Sequence, residues 1–182
     1  MIKLPKLLRI FAMIVLFPIS AEAKETYIPI LVPITGFLSL EGTAQRNGAI
    51  QALDEASQSL KIKYEVSDTS TSPEIAVTAL QRALSRGKPM AIAAPIFGTQ
   101  MFAMLPIAKR AEVPLITVSG TAKLTELENP FIFRFFPGDA VVKVAHARYV
   151  TEVLSAKRPA LLYQTTAYGQ SGYSPLSKAL KT

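Results

Sequence analysis

The chain has 182 residues, with 20 Lys and Arg, 13 Asp and Glu, one His and no Cys. Its hydrophobic content of 49% against 18% charged residues excludes a disordered chain and fits one domain, or one domain and part of another. The lack of Cys excludes disulfides and thiolate sites, and a single His leaves little room for a histidine-rich metal site or a Ser-His-Asp hydrolase.

Residues 1–23 have the pattern of a secretory signal peptide. Three basic residues precede an apolar run over 10–19, and small residues at 21 and 23 form a cleavage site before Lys24. The apolar run is shorter than the ~20 residues that span a bilayer, and no Cys follows it to carry a lipid. We therefore expect export to a bacterial periplasm as a soluble protein that is not a lipoprotein.

The chain after residue 23 begins with an apolar strand over 28–32. A helix is predicted over 41–60. Its packing stripe is predicted to consist mostly of small residues, namely Ala44, Gly48, Ala52, Ala56 and Leu60 four apart, with Ala49 and Leu53 beside them. Residues 61–68 alternate between apolar and polar, which is typical of a half-exposed strand at a sheet edge. Ser72-Pro73-Glu74 then begins a helix that ends at Arg86-Gly87.

The second half of the chain continues this alternation. Apolar strands are predicted over 90–94, 114–118 and 160–163, an extended segment over 131–135, and helices over 99–111, over 139–154 and from near Ser174. The buried face of the 139–154 helix is predicted to consist of Val142, Ala145, Tyr149 and Val153. This pattern predicts an α/β fold with a parallel sheet covered by helices on both faces, in strand order 2-1-3-4.

That strand order places a ligand crevice at the carboxyl ends of strands one and three. The loops there, 34–41, 96–100 and 119–123, are rich in hydroxyls and glycines, and two of them lead into helix N-termini. Backbone N–H groups and hydroxyls at such positions can hold a carboxylate, although the same residue types also serve in ordinary turns and caps. From composition alone, both interpretations stay open.

Enzyme chemistry is not indicated. The chain has no glycine-rich nucleotide motif and no nucleophile-elbow motif. His146 is expected to have a surface or packing role, and Asp68 to cap the turn at 69–72. The basic residues are scattered without interleaved aromatics, so no nucleic-acid partner is expected. We therefore expect binding without catalysis, with no cofactor and no metal.

A series of short motifs resembles the N-terminal half of the type I periplasmic solute-binding proteins, the branched-chain amino acid and amide receptors of ABC transporters. The matching stretches are Thr35-Gly36, Gly42, Asn47-Gly48-Ala49, Asp68 with 72–77, Ala94-Pro95, Pro106 to Ala108, 113–116, 119–122, Asn129-Pro130, Phe133-Arg134, Asp139 and 167–169. Each motif is weak alone, but their order and spacing follow the family along the whole chain after residue 23.

The resemblance implies a ligand site and partners. The loops after strands three and four are expected to hold a ligand carboxylate through Gly98, Thr99, Ser119, Gly120 and Thr121. Glu41 is expected to line the pocket, and Tyr168 to reach across the cleft from a second lobe. The implied partners are a small-molecule ligand and an ABC permease in the inner membrane. The alternative function is a ligand-binding sensor module of a signalling system.

Three residues and the length depart from the family pattern. Phe37 stands where a proline is usual, Phe97-Gly98 replaces a serine pair, and Glu41 stands where an aromatic residue is common. The ligand is therefore open among an amino acid, an amide and an aromatic acid. The resemblance implies a first lobe over 24–136 and the start of a second over 137–182, so we expect a truncated product or a fragment of a longer gene.

Overall fold

The computed structural model describes residues 25–181 and contains one five-stranded parallel sheet. Its strands are β1 (Thr26–Val32), β2 (Ile62–Asp68), β3 (Ile92–Ala93), β4 (Leu115–Thr117) and β5 (Ile132–Arg134), in the order β2-β1-β3-β4-β5. The predicted order 2-1-3-4 and the edge position of β2 are confirmed, and the extended segment after β4 adds a fifth strand. The predicted signal peptide lies outside the described residues.

Within residues 25–181, five α-helices follow the strands or connect them. They are α1 (Ser39–Ala56), α2 (Pro73–Arg86), α3 (Gly98–Ala111), α4 (Asp139–Arg148) and α5 (Ala167–Ala179), with a 3₁₀ turn over Ala122–Thr125 and a π-helical turn over Tyr149–Val153. Local capping sets the start of α2, where the Ser72 hydroxyl accepts a hydrogen bond from the Ile75 N–H at 3.2 Å. Pro73 occupies the first turn, as predicted.

Helices α2 and α3 pack side by side on one face of the sheet, which we call the covered face. Its fully buried side chains include Leu31, Leu80, Ile92, Met101, Met104 and Leu115. Because side chains alternate along a strand, Ile30 and Val32 point to the opposite face, which α1 covers over β1 and β2.

This opposite face, which we call the open face, becomes more exposed toward β5. One row of side chains crosses it through Ile30, Ala93, Ile116 and Phe133, which are neighbours in strand register. Ile30 is fully buried beneath α1, whereas Ile116 is 40% exposed and Phe133 is 47% exposed. The described helices therefore cover the covered face across β3 and β4. They cover the open face mainly at β1 and β2.

The predicted packing stripe of α1 is confirmed at Ala49, Leu53 and Ala56, which are half-buried, and is wrong at its other positions. Ala44, Gly48 and Ala52 are exposed, and Leu60 lies beyond the end of the helix. Residues four apart advance by ~40° around a helix at each step, so a long series of them winds away from any one face. The inward residues follow a mean spacing close to 3.5 instead, through Gly42, Gln45, Ala49, Leu53 and Ala56.

The prediction for residues 139–154 is also corrected. Ala145, Tyr149 and Val153 are exposed and Val142 is only half-buried, whereas Asp139 and Ala147 are buried. The α-helix ends at Arg148 and continues as the π-helical turn. The buried side is thus set by where α4 meets α5 and the loop after β4, which local periodicity does not reveal.

Two later predictions differ from the structure as well. Residues 160–163 do not form a strand, because a strand needs a neighbour to share its backbone hydrogen bonds and none of residues 25–181 pairs with this segment. The last helix begins at Ala167, seven residues before Ser174, since the Thr166 hydroxyl accepts a hydrogen bond from the Gly169 N–H at 3.3 Å.

Candidate functional site

A cleft of about 570 Å³ lies at the carboxyl ends of the strands, where the strand order predicted a crevice. Its volume falls in the range of small-molecule sites, roughly 300–1,000 Å³. The loops after β1, β3 and β4 form one side, with Phe37, Glu41, Phe97 and Gly120. The opposite side comes from residues 136–168, with Asp139, Lys143, His146 and Tyr168 among them.

The seven predicted site residues fall into two layers. Glu41, Gly120 and Tyr168 line the cleft itself. Gly98, Thr99, Ser119 and Thr121 lie behind its wall, at the N-terminus of α3 and in the loop after β4. Ser119 and Thr121 are fully buried, and the Ser119 hydroxyl donates to the Thr121 hydroxyl at 3.4 Å. This second layer therefore supports the loops that form the wall.

Gly98 allows the loops after β3 and β4 to touch. A Cβ atom at Gly98 would lie 2.0 Å from the hydroxyl oxygen of Thr121, so a larger residue would push the two loops apart. Next to it, the hydroxyl oxygen of Thr99 is buried and has no hydrogen-bond partner within residues 25–181. The N-terminus of α3 thus carries a polar group that the described protein leaves unsatisfied.

Hydrogen bonds from buried side chains hold the ends of β3 and β4 in place. The Thr117 hydroxyl donates to the Pro95 carbonyl at 2.8 Å and accepts from the Ser119 N–H at 3.0 Å. The Gln45 amide of α1 donates to the Ala94 carbonyl at 2.6 Å. These bonds fix the backbone from which Phe97 and Gly120 reach the cleft.

Asp68 organises the loop after β1. Its carboxylate accepts hydrogen bonds from the Ile34, Thr35 and Ser70 N–H groups at 2.8, 3.1 and 2.8 Å, and from the Thr35 hydroxyl at 2.5 Å. Partial burial raises the pKa of Asp68, but the Thr35 hydroxyl and the three N–H groups outweigh it and lower that pKa to about 2. Asp68 therefore caps its own turn, as expected, and also ties β2 to the loop that carries Phe37.

A buried polar relay joins the two sides of the cleft. The Ala122 N–H donates to the Ser171 hydroxyl at 2.8 Å, and that hydroxyl donates to the Asp139 carboxylate at 2.9 Å. The Asp139 N–H donates to the Gly120 carbonyl at 2.7 Å. Asp139 is only 5% exposed, so its carboxylate mainly serves to hold the two sides of the cleft together.

Three aromatic rings from three segments meet at the cleft. Phe37 lies edge-on to Phe97 with ring centroids 5.4 Å apart, and Phe97 lies at 6.1 Å from Tyr168 in a tilted arrangement. Phe97 is 5% exposed, whereas Phe37 and Tyr168 are 62% and 43% exposed. The central ring is thus packed by the protein while the outer two face open space.

Lys143 and His146 are cleft residues that the sequence reasoning missed. Asp139, Val142, Lys143 and His146 all line the cleft, and their spacing of three, four and seven residues marks one face of a helix. That spacing is visible in the sequence and could have identified them. The Lys143 ammonium lies 3.8 Å from the Asp139 carboxylate. A Cβ atom at Gly172 would lie 3.1 Å from the Cε atom of Lys143, so the glycine makes room for the lysine side chain.

The cleft is built for binding contacts. Across residues 25–181, no group of three or more His, Asp and Glu side chains is placed to hold a metal ion. Among the same residues, none of the helices combines the length and the apolar character that a membrane crossing requires. The chemistry that the cleft does offer is aromatic surface, one exposed carboxylate at Glu41, and the basic side chains of Lys143 and His146.

Comparison with known proteins identifies this arrangement. The profile of the periplasmic binding protein family matches residues 25–182. The structure of a leucine-binding protein, LivK from Thermotoga maritima MSB8, superposes with a TM-score of 0.80 at 23% identity, covering 86% of this chain and 45% of that one. Among curated proteins, none matches the chain at a significant level.

Two further solved structures show the same fold with a ligand bound to them. A solute-binding protein of an ABC transporter from Rhodopseudomonas palustris BisB5, in complex with 3,4-dihydroxybenzoic acid, has a TM-score of 0.77 and 21% identity, covering 86% of this chain and 44% of that one. The branched-chain amino acid substrate-binding protein LivJ from Streptococcus pneumoniae, in complex with isoleucine, has a TM-score of 0.75 and 22% identity, with coverages of 87% and 47%. This chain therefore spans less than half the length of each of the three.

Proposed function

The chain belongs to the periplasmic binding protein family, and we propose that it acts as the substrate-binding component of an ABC transporter. In this role it captures an amino acid or a similar small carboxylate or amide in the periplasm and presents it to a permease in the inner membrane. The family consists of solute-binding proteins and not of enzymes, which agrees with a cleft that offers binding contacts.

The observation that carries the proposal is the cleft at the carboxyl ends of the parallel strands. It is lined from two sides, by the loops after β1, β3 and β4 and by the segment that includes α4 and Tyr168. A ligand between the two sides would contact both and lose most of its exposure to water, which is how small solutes are held. In this proposal residues 24–136 form the first lobe, and residues 137–182 begin the second.

The proposed site has contacting residues and supporting residues. Glu41, Gly120 and Tyr168 contact the ligand, because they line the cleft. Gly98, Thr99, Ser119 and Thr121 hold the wall, and Thr99 is the member of this group whose buried hydroxyl has no hydrogen-bond partner within residues 25–181. Replacing a glycine of this layer would therefore act on binding through the position of the loops.

The proposal is tested on the protein as its gene produces it. Calorimetric titration with amino acids, amides and aromatic acids is expected to give reversible one-to-one binding of one class, with the ligand recovered unchanged by mass spectrometry. Deleting the gene is expected to abolish uptake of that labelled ligand by cells. Glu41→Gln is expected to alter the affinity, whereas Glu55→Gln, exposed on the same helix, is the matched control that leaves it unchanged.

Two results would overturn the proposal. Conversion of the ligand into a product would replace it with an enzymatic function. Binding that persists while deletion leaves uptake unchanged, and instead abolishes a transcriptional response to the ligand, would replace it with a sensory function.

A further inference from the structure

The aromatic surface of the cleft is arranged in an unusual way for a protein in water. Phe37 projects from the loop after β1 with 62% of its surface exposed, and Tyr168 stands opposite with 43% exposed. Both rings contact Phe97, which is buried between them, so the three form one continuous apolar surface across the cleft. An exposed apolar surface in a concave site is typical of a ligand-binding surface that is covered when the ligand is present.

The geometry of the rings favours a flat partner. Aromatic rings prefer edge-on or offset contacts with centroids roughly 4.5–7 Å apart, and the two existing pairs already lie in that range. An aromatic ligand can add further ring contacts of this kind by packing against the exposed surfaces of Phe37 and Tyr168. A branched aliphatic side chain has no ring, so it gains the apolar contact with these residues but no ring–ring contact.

The polar groups of the cleft supply a partner for a carboxylate. Lys143 and His146 lie on the face of α4 that lines the cleft. The Lys143 ammonium is 3.8 Å from the Asp139 carboxylate, beyond ordinary hydrogen-bond distance, so its N–H groups remain available for a second acceptor. The Ser171 hydroxyl donates to Oδ2 of Asp139, whereas the oxygen nearest to Lys143 is Oδ1. The cleft therefore offers both a cation for a carboxylate and an aromatic surface for a ring.

We infer that the cleft selects an aromatic carboxylate over an aliphatic amino acid, with the ring against Phe37, Phe97 and Tyr168 and the carboxylate at Lys143. This inference rests on the proposed solute-binding function and names the ligand class of that same site. Two kinds of molecule share this chemistry, a benzoate and an aromatic amino acid. They differ in the ammonium group, for which Glu41 is the exposed carboxylate in the cleft.

The test is a competition of three probes on the protein as its gene produces it. Titration with 4-hydroxybenzoate, phenylalanine and isoleucine is expected to show one of the two aromatic probes binding at least tenfold more tightly than isoleucine. If phenylalanine is the tighter of the two and Glu41→Gln weakens it, the natural ligand carries an ammonium group. If 4-hydroxybenzoate is the tighter ligand and Glu41→Gln does not weaken it, the ligand is a simple aromatic acid.

Two variants with matched controls test the contacts. Phe37→Leu is expected to weaken the aromatic probe about 3- to 10-fold and to leave the weak binding of isoleucine unchanged. Lys143→Gln is expected to weaken it about 10- to 100-fold. Phe133→Leu and Lys109→Gln, at exposed positions outside the cleft lining, are the controls expected to leave binding unchanged. Because Phe37 is exposed, its replacement does not depend on repacking a core, and Tyr168→Leu provides a second test of the same surface.

The outcomes separate this inference from the function on which it rests. Tightest binding of isoleucine, or an aromatic affinity unchanged in both Phe37→Leu and Tyr168→Leu, overturns the inference and leaves the solute-binding function standing. Failure of every amino acid, amide and aromatic acid to bind, together with uptake that does not depend on the gene, overturns the proposed function itself.

Discussion

On the covered face of the sheet, Leu31, Ile92 and Leu115 are fully buried across β1, β3 and β4. On the open face, one row of neighbouring side chains goes from complete burial at Ile30 to 40% exposure at Ile116 and 47% at Phe133. The strands are the same, so the difference comes from the helices. Within residues 25–181, the covered face has two helices, with Leu80, Met101 and Met104 among their buried side chains, whereas the open face has α1, whose buried position is Gly42.

This difference indicates where the stability of the described chain is concentrated. Apolar burial contributes roughly 25 cal/mol per Å² of surface removed from water, so the covered face supplies most of the hydrophobic stabilisation. The candidate cleft lies at the end of the strands that this face holds together. The comparison of the two faces can be tested with pairs of substitutions. The two residues of a pair differ in the face on which they lie or in how tightly they are packed.

The largest effect is expected from the covered face. Met104→Ala removes a fully buried side chain of α3 and should lower the free energy of unfolding by about 2–5 kcal/mol, through lost burial and the cavity left behind. Met90→Ala, at a methionine that is 69% exposed, is the matched control and should change it by less than about 0.5 kcal/mol. Urea unfolding followed by circular dichroism measures both, and similar losses would contradict a core concentrated on one face.

The next effect concerns the helix of the open face. Gly42 is the buried residue of α1, and a Cβ atom there would lie 1.8 Å from the Pro33 carbonyl oxygen. Gly42→Ala should therefore push α1 away from β1 and cost about 1–3 kcal/mol.

The control for this variant lies on the same helix. A Cβ atom at Gly48 would have no neighbour within 4 Å, so Gly48→Ala should stabilise the helix by about 0.5–1 kcal/mol. Thermal unfolding of the two variants distinguishes the effect of close packing from that of helix propensity. A loss in both would show that the small residues of α1 are needed along its whole length.

A smaller effect on stability is expected at Asp68, at the carboxyl end of β2. The pKa of Asp68 is lowered to about 2, so its ionised form stabilises the fold above the unfolded-state pKa near 3.8, and this contribution is lost as the pH falls from about 4 to about 2. Because solvent screens this partly buried group, we expect about 1–2 kcal/mol at neutral pH. The unfolding free energies of the wild type and Asp68→Asn should differ at pH 6 and converge near pH 2. A difference that does not vary with pH would contradict the role of the Asp68 charge.

The parts of the fold that the sequence predicts correctly are those that depend on neighbouring residues in the chain. The start of α2 depends on Ser72, Pro73 and their immediate neighbours, so it is readable locally and is confirmed. The strand order depends on which strands are half-exposed, which alternation reveals at β2. The predicted stripe of α1 is wrong at Ala44, Gly48 and Ala52, because a spacing of four does not follow one face of a helix that has ~3.6 residues per turn.

The candidate site was predictable in its position more than in its residues. The three loops are found at the predicted crevice, since parallel strands bring their carboxyl ends to one edge. The buried side of α4 instead depends on a bond between Asp139 and Ser171, which are 32 residues apart. No local pattern encodes such a partner. Lys143 and His146 share one face of α4 by their spacing from Asp139, but the sequence does not show that this face is the one at the cleft.

The smallest effect on stability is expected from a substitution on the open face, and it tests whether this face is exposed in solution. Phe133 lies next to Ile116 in register and is 47% exposed, with no described helix above it. Phe133→Thr introduces a β-branched residue that suits a strand and removes an apolar side chain that is about half buried, so the free energy of unfolding should fall by only about 0.5–1 kcal/mol. Urea unfolding measures this change, and hydrogen exchange of the β4 and β5 amides shows whether the strand pair is intact. A loss above about 2 kcal/mol would mean that Phe133 is buried in the folded protein in solution, since only the removal of a buried aromatic side chain costs that much.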